Sequence, residues 1–188
     1  MIKMLKLKKI INEQVSSSEF TNLNNVIGYH YGSKLNPSIL FNSGDESHVR
    51  QGTGYYLYLL KGNEKPHIIE PRHKGEGVGL HFYKLNNGKF INNNRAGFNF
   101  LLNFIKSSNL YSLKPTIRYL RSTSVFYNAF ICIEESGFGL KFENFSSKLS
   151  ERLKEEGISG VFFNQWIDGI KVDCIVLFDP RIASEIRR

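Results

Sequence analysis

The sequence predicts an α+β domain, and three observations carry that expectation. Short aromatic segments beside glycine turns, Val26 to Tyr31 and Tyr55 to Leu60, read as strands, and Gly79 to Leu85 alternates as a half-buried strand does. In the middle, Phe98, Leu101, Leu102 and Ile105 recur at the i, i+3, i+4, i+7 spacing of one buried helix face. Near the end, a charged helical stretch from Ser150 to Glu156 runs into two further strand-like segments, Ile158 to Phe163 and Ile170 to Phe178. Hydrophobic residues make up 41% of the 188, enough to build a core and far from a disordered composition. That length fits one domain, residues 19–188, behind a distinct segment 1–18.

The first segment is basic and amphipathic. Met4, Leu7, Ile10 and Ile11 recur at helical spacing among Lys3, Lys6, Lys8 and Lys9. Such a helix docks on its own domain or lies on a membrane surface or a partner. Ile11-Asn12-Glu13 also resembles the end of the lysine-rich capsid-targeting peptides of tailed phages, which are cut after the glutamate. That likeness implies a removable peptide, with Ser16-Ser17-Ser18 as the joint.

The strand Val26 to Tyr31 leads into Gly32-Ser33. A polar loop follows from Lys34 to Gln51, with turn formers at Asn36-Pro37 and Ser43-Gly44-Asp45. Gly52-Thr53-Gly54 then feeds the strand Tyr55 to Leu60. Gly75-Glu76-Gly77-Val78-Gly79 lacks the Lys-Ser/Thr of a phosphate loop and precedes a strand, so it reads as a flexible loop. Asn87-Gly88 predicts a hairpin turn before Lys89-Phe90-Ile91. A second helix is expected around Phe126, Ala129, Phe130 and Ile133, capped from Ser122-Thr123-Ser124. In the last helix Leu149 and Leu153 face inward, and Gly157 suits its C-terminal stop. Asp168-Gly169 is the turn between the two final strands, and Asp179-Pro180 ends them.

Net charge is +8 with a pI near 9.5, which favours encounter with acidic partners such as nucleic acid, a membrane surface or a pyrophosphate. Cys132 and Cys174 are too few for a disulfide framework. The histidines, His30, His48, His67, His73 and His81, make no HExxH motif, and no CxxC accompanies them; no metal site is read. His67, Glu70 and His73 lie near one another without a defined helix to set them. No run approaches the roughly 18 apolar residues of a membrane span, and no apolar stretch of a secretory signal is present. A cytoplasmic address is expected.

Two stretches concentrate chemistry. Tyr29-His30-Tyr31-Gly32-Ser33 and Gly52-Thr53-Gly54-Tyr55-Tyr56 each place polar aromatics beside a glycine. The glycines allow close approach to backbone groups, and the tyrosines offer stacking faces. The pair resembles the first two motifs of the His–Tyr–Glu ADP-ribosyltransferases, the poly(ADP-ribose) polymerase and diphtheria-toxin group. Gly52, Gly54 and Tyr56 match the second motif in spacing; Tyr31 is an insertion in the first. The C-terminal order of helix, Gly-Ile-Ser-Gly-Val strand, turn and strand into Phe178-Asp179-Pro180 resembles phage-encoded members. Together these stretches span Val26 to Ile182.

The resemblance implies a split sandwich of two small antiparallel sheets with flanking helices. It implies that His30 holds a ribose hydroxyl of NAD+, that Tyr56 stacks on nicotinamide and that Gly32 bonds the carboxamide. Tyr31, Ser33, Gly54 and Tyr55 would complete the NAD+ contacts. No metal is required. The family keeps a glutamate near the start of the last strand to stabilise an oxocarbenium-like charge. Asp173 is the candidate here, with Cys174 and Asp168 as alternatives. The implied activity is transfer of a single ADP-ribose unit to a macromolecule, by a monomer and in the host cell if the protein is phage-encoded. The rival is an inactive NAD+- or nucleic-acid-binding module, or a basic virion protein. Ser122–Ser124 also resembles the middle motif of the arginine-specific branch. The acid pairs Glu134-Glu135 and Glu155-Glu156 lack that branch's Glu-x-Glu spacing, so a structural role is expected.

Overall fold

A computed structural model describes residues 18–32, 34–35, 54–62, 64–66, 79–108, 145–167 and 169–187. The N-terminal segment 1–17, the loop from 36 to 53, the helix expected around Phe126 and the turn residue Asp168 lie outside the described residues.

Eight strands form one mixed sheet: β1 (Phe20–Leu23), β2 (Val26–Gly32), β3 (Tyr55–Leu60), β4 (Gly79–Leu85), β5 (Gly88–Asn92), β6 (Gly160–Ile167), β7 (Ile170–Leu177) and β8 (Ala183–Ile186). Their order across the sheet is β1-β5-β6-β7-β3-β2-β4-β8. The expected pair of small antiparallel sheets is therefore corrected to a single sheet. It is not wholly antiparallel either, because β5 and β6 run parallel.

The physical reason lies at Asn86-Asn87. A hairpin there would reverse the chain and pair β4 with β5. Instead β4 pairs with β2 and β8, and β5 pairs with β1 and β6. Following the pair directions around the sheet shows that β4 and β5 run the same way, so β5 continues β4 past a kink. Asn87 takes a left-handed φ of 44° at that kink, a conformation asparagine tolerates better than most residues. Three Cα steps span at most about 11 Å. Five strand intervals of a flat sheet would span roughly 24 Å. The short link thus forces the sheet to curl into a half-barrel. The Asn86 N–H closes the kink by donating to the Ile182 carbonyl at 2.9 Å.

Each face of the curl has its own core. On one face, α1 (Arg95–Ser107) and α2 (Phe145–Glu155) pack against the middle strands. Phe98, Leu101, Leu102 and Ile105 meet Ile91, Val161, Phe163 and Val176 there, with Leu149 and Leu153 of α2. Asn94 caps α1 by accepting from the Gly97 N–H at 2.9 Å. On the other face, which no described helix covers, Leu57, Leu59, Tyr83, Leu85, Phe90, Ile175 and Leu177 pack on one another. Gly160 lets β6 lie close to β7: a Cβ there would overlap the Val176 carbonyl oxygen. A 3₁₀ turn, Pro180–Ile182, with Asp179 as its cap, carries the chain from β7 across to β8. No described helix is long and apolar enough to cross a membrane.

Candidate functional site

Strand register decides which motif residues can meet. The β2–β3 ladder begins with Ile27 opposite Leu60 and stops with Tyr29 opposite Tyr58. On either side the neighbouring ladders run further. β2 stays paired with β4 as far as Gly32 opposite Gly79, and β3 stays paired with β7 as far as Tyr55 opposite Leu177. Past Tyr29 the sheet therefore opens along the β2–β3 seam. His30, Tyr31 and Gly32 border the opening on one side, and Tyr55 and Tyr56 on the other.

His30 bridges that opening. Its Nδ1 lies 3.0 Å from the Tyr56 carbonyl oxygen, an acceptor that a continued ladder would have given to a β2 N–H. A carbonyl accepts, so Nδ1 carries the proton and Nε2 presents a lone pair. Burial pulls the His30 pKa below its ordinary value; the Tyr56 bond opposes this, and His81 across the strand pair adds to it. The imidazole is accordingly neutral at pH 7. Its ring folds over Gly32, where a Cβ would come within 2.5 Å of Nε2. Gly32 also has a φ of +154°, and both facts call for glycine at this position.

Side-chain alternation separates the two leading candidates. Tyr56 stands opposite Val176 on the helix-covered face, and its ring meets Phe163 edge-on with centroids 6.2 Å apart. His30 is on the other face, with Leu57 and Tyr83. Tyr56 reaches His30 through its backbone carbonyl, while its ring points away. Tyr55, by contrast, shares the face of His30 and packs on the Leu57–Leu177 core. Gly54 is tight against β7: a Cβ would sit 2.5 Å from the Leu177 carbonyl oxygen. Its glycine serves that close strand approach. Ser33 and Gly52 lie outside the described residues.

Asp173 is placed away from this seam. It lies on β7, two strands from β2, which is roughly 10 Å across the sheet. Asn164 donates to its Oδ1 at 2.6 Å, and the Lys61 ammonium stands 3.4 Å from Oδ2. Cys174 faces the helix-side core; burial, with the neighbouring Asp173 charge, pushes its thiol up to about 12. It stays a thiol near neutral pH and is no nucleophile there.

The polar groups facing His30 across the sheet carry no signal in the sequence. His81 stands directly opposite it on β4. The His81 Nδ1 faces Glu185 Oε1 of β8 at 3.4 Å, and Lys34 bonds the other oxygen of Glu185 at 3.0 Å. The Leu35 N–H donates to the Tyr83 hydroxyl at 2.9 Å. That contact draws the chain after β2 back over β4. Burial raises the Tyr83 pKa, against the pull of that bond, so its phenol stays protonated. No spacing rule links residues 30, 81 and 185; only the strand order β2-β4-β8 does.

Comparison with protein-family models, with curated proteins and with solved structures finds no match. The site's own geometry therefore carries the functional argument. Among the described residues no group of three or more His, Cys, Asp or Glu side chains is arranged to hold a metal ion.

Proposed function

We propose that the chain is an NAD+-dependent mono-ADP-ribosyltransferase acting on a macromolecular acceptor, with NAD+ lying along the open β2–β3 seam. One observation carries this reading: His30 is a neutral imidazole whose Nδ1–H is committed to the Tyr56 carbonyl and whose Nε2 remains an acceptor. A ribose hydroxyl is a donor that such an atom takes. The residues bordering the seam, His30, Tyr31, Gly32, Tyr55 and Tyr56, are those the resemblance assigns to NAD+. Tyr55, on the face of His30, is the better placed stacking residue for a flat ring held by Nε2.

Cleaving the nicotinamide–ribose bond develops positive charge on the sugar. Fixing the ribose in a reactive orientation lowers that barrier by positioning alone. The acid that reaches this histidine pair is Glu185, through His81 alone, whereas Asp173 is engaged by Asn164 and Lys61. Transfer of one unit, without polymer growth, suits a site whose third-motif acid is occupied elsewhere. The same occupancy favours a second reading, a module that binds NAD+ without turnover.

The test is to incubate the protein with NAD+ and a cell lysate, follow nicotinamide release, and map adducts by mass spectrometry. Release with adducts, both lost in His30→Gln, supports the transferase. Saturable binding without release selects the module. No binding of NAD+ ends both readings. A melting shift with DNA or RNA that falls steeply with salt would then point to nucleic-acid binding, in line with the +8 charge.

A further inference from the structure

His30 and His81 sit 51 positions apart in sequence and directly opposite each other in the sheet. Each has one ring nitrogen held in a similar way. His30 Nδ1 is 3.0 Å from a backbone carbonyl, and His81 Nδ1 is 3.4 Å from a carboxylate oxygen of Glu185. The other nitrogens lean toward the same place. A Cβ on Gly32 would be 2.5 Å from His30 Nε2, and a Cβ on Gly79 would be 3.6 Å from His81 Nε2. Gly32 and Gly79 are themselves a directly opposed pair, so neither position puts a side chain between the imidazoles. His81 Nε2 is buried and has no hydrogen-bond partner among the described residues.

We propose that His30 and His81 form a two-imidazole site for a divalent transition-metal ion such as Zn2+, over the Gly32–Gly79 pair. Metal-bound histidines characteristically give their second ring nitrogen to a carbonyl or a carboxylate, which fixes the tautomer and the ring direction. Both histidines here are held in that manner. Opposed Cβ positions in a sheet are about 4.5–5.5 Å apart. Two nitrogens on one zinc, each at about 2.0–2.1 Å, stand roughly 3.3 Å apart in a tetrahedral site, a separation that imidazoles rooted on opposed strand positions can reach by leaning together. Imidazole selects zinc, copper or nickel over magnesium or calcium. Water completes the coordination sphere. The ion gives the buried His81 Nε2 its missing partner. This site does not depend on NAD+ binding, but an ion on His30 Nε2 would exclude a ribose hydroxyl from that atom.

The probe is Zn2+ alone, added to the full chain. In 15N imidazole spectra of the wild type, the Nε2 signals of His30 and His81 should shift together and saturate at one ion per chain. By calorimetry His30→Gln and His81→Gln should each weaken uptake at least tenfold. Glu185→Gln should weaken it about 10- to 100-fold, as loss of a supporting partner does. No uptake of Zn2+, uptake that moves only other histidines, or unchanged uptake in a folded His81→Gln variant would each overturn the proposal. The wild-type spectra decide even if a variant fails to fold.

Discussion

The β2–β3 seam and the β6–β7 hairpin are both antiparallel strand pairs, and they are built to different ends. The hairpin is zipped along its whole length, from Gly160 opposite Leu177 to Ile167 opposite Ile170. Its inward residues Val161, Cys174, Ile175, Val176 and Leu177 are almost wholly buried. The seam pairs over a few residues and then parts, and a histidine side chain replaces the next backbone bond. A backbone carbonyl that leaves a ladder needs another donor. When a side chain supplies it, the strands are freed to border an opening. Glycines mark both regions for opposite reasons. Gly160 admits a neighbouring carbonyl, and Gly32 admits a functional ring.

Substitutions at those two glycines test this contrast most strongly. Gly160→Ala drives a Cβ into the Val176 carbonyl, where neither backbone can yield cheaply. We expect a loss of about 3 kcal/mol or more, beyond ordinary overpacking, read as a large fall in denaturation midpoint. Gly32→Ala meets a movable ring and a strained φ. Its stability cost should be about 1–2 kcal/mol, while NAD+ affinity falls roughly tenfold, about 1.4 kcal/mol. If Gly32→Ala leaves calorimetric NAD+ binding intact, the seam is not the site.

Asp173 sits in the zipped half. Asn164 and Lys61 hold it, so Asp173→Asn should change NAD+ affinity and transfer rate less than tenfold. A fall of two or three orders of magnitude, the scale of losing a preorganised charge, would instead bring Asp173 into the chemistry.

The smallest effect concerns acid. Hydrogen bonds from the Arg181 side chain hold the Asp179 carboxyl below its ordinary range, against partial burial. A carboxyl lowered in the folded state stabilises above its unfolded pKa, and that contribution is lost as pH falls through the folded value. Stability should therefore decline from just above pH 4 downward, and Asp179→Asn should flatten that part of the pH profile.

Much of the fold was legible in the sequence because it is local. Gly79–Leu85 falls where alternation places it, Tyr55–Leu60 where its aromatic run after a glycine turn does, and α1 buries the face that its helical spacing predicts. Two edge strands escaped. β1 and β8 are four residues each, mostly half-exposed or exposed, with no apolar alternation to announce them. Asn87-Gly88 misled for a different reason. The dipeptide specifies a left-handed residue, which a hairpin and a kink both need, and only the partners of β4 and β5 distinguish the two. The site was half legible. His30 and its glycine were visible as a contiguous motif, whereas His81 and Glu185 join them through pairing of distant strands. Tyr56 was read as a ring, and it touches His30 through its carbonyl, an atom every residue carries.

Titrating NAD+ into isotopically labelled protein, with backbone amides and imidazole nitrogens followed together, shows whether NAD+ lies along the β2–β3 seam. The seam account predicts saturable shifts at His30 Nε2 and at the amides of Tyr31, Gly32, Tyr55 and Tyr56, with the β6–β7 hairpin unmoved. Shifts confined to the hairpin, or none at saturating NAD+, would contradict it.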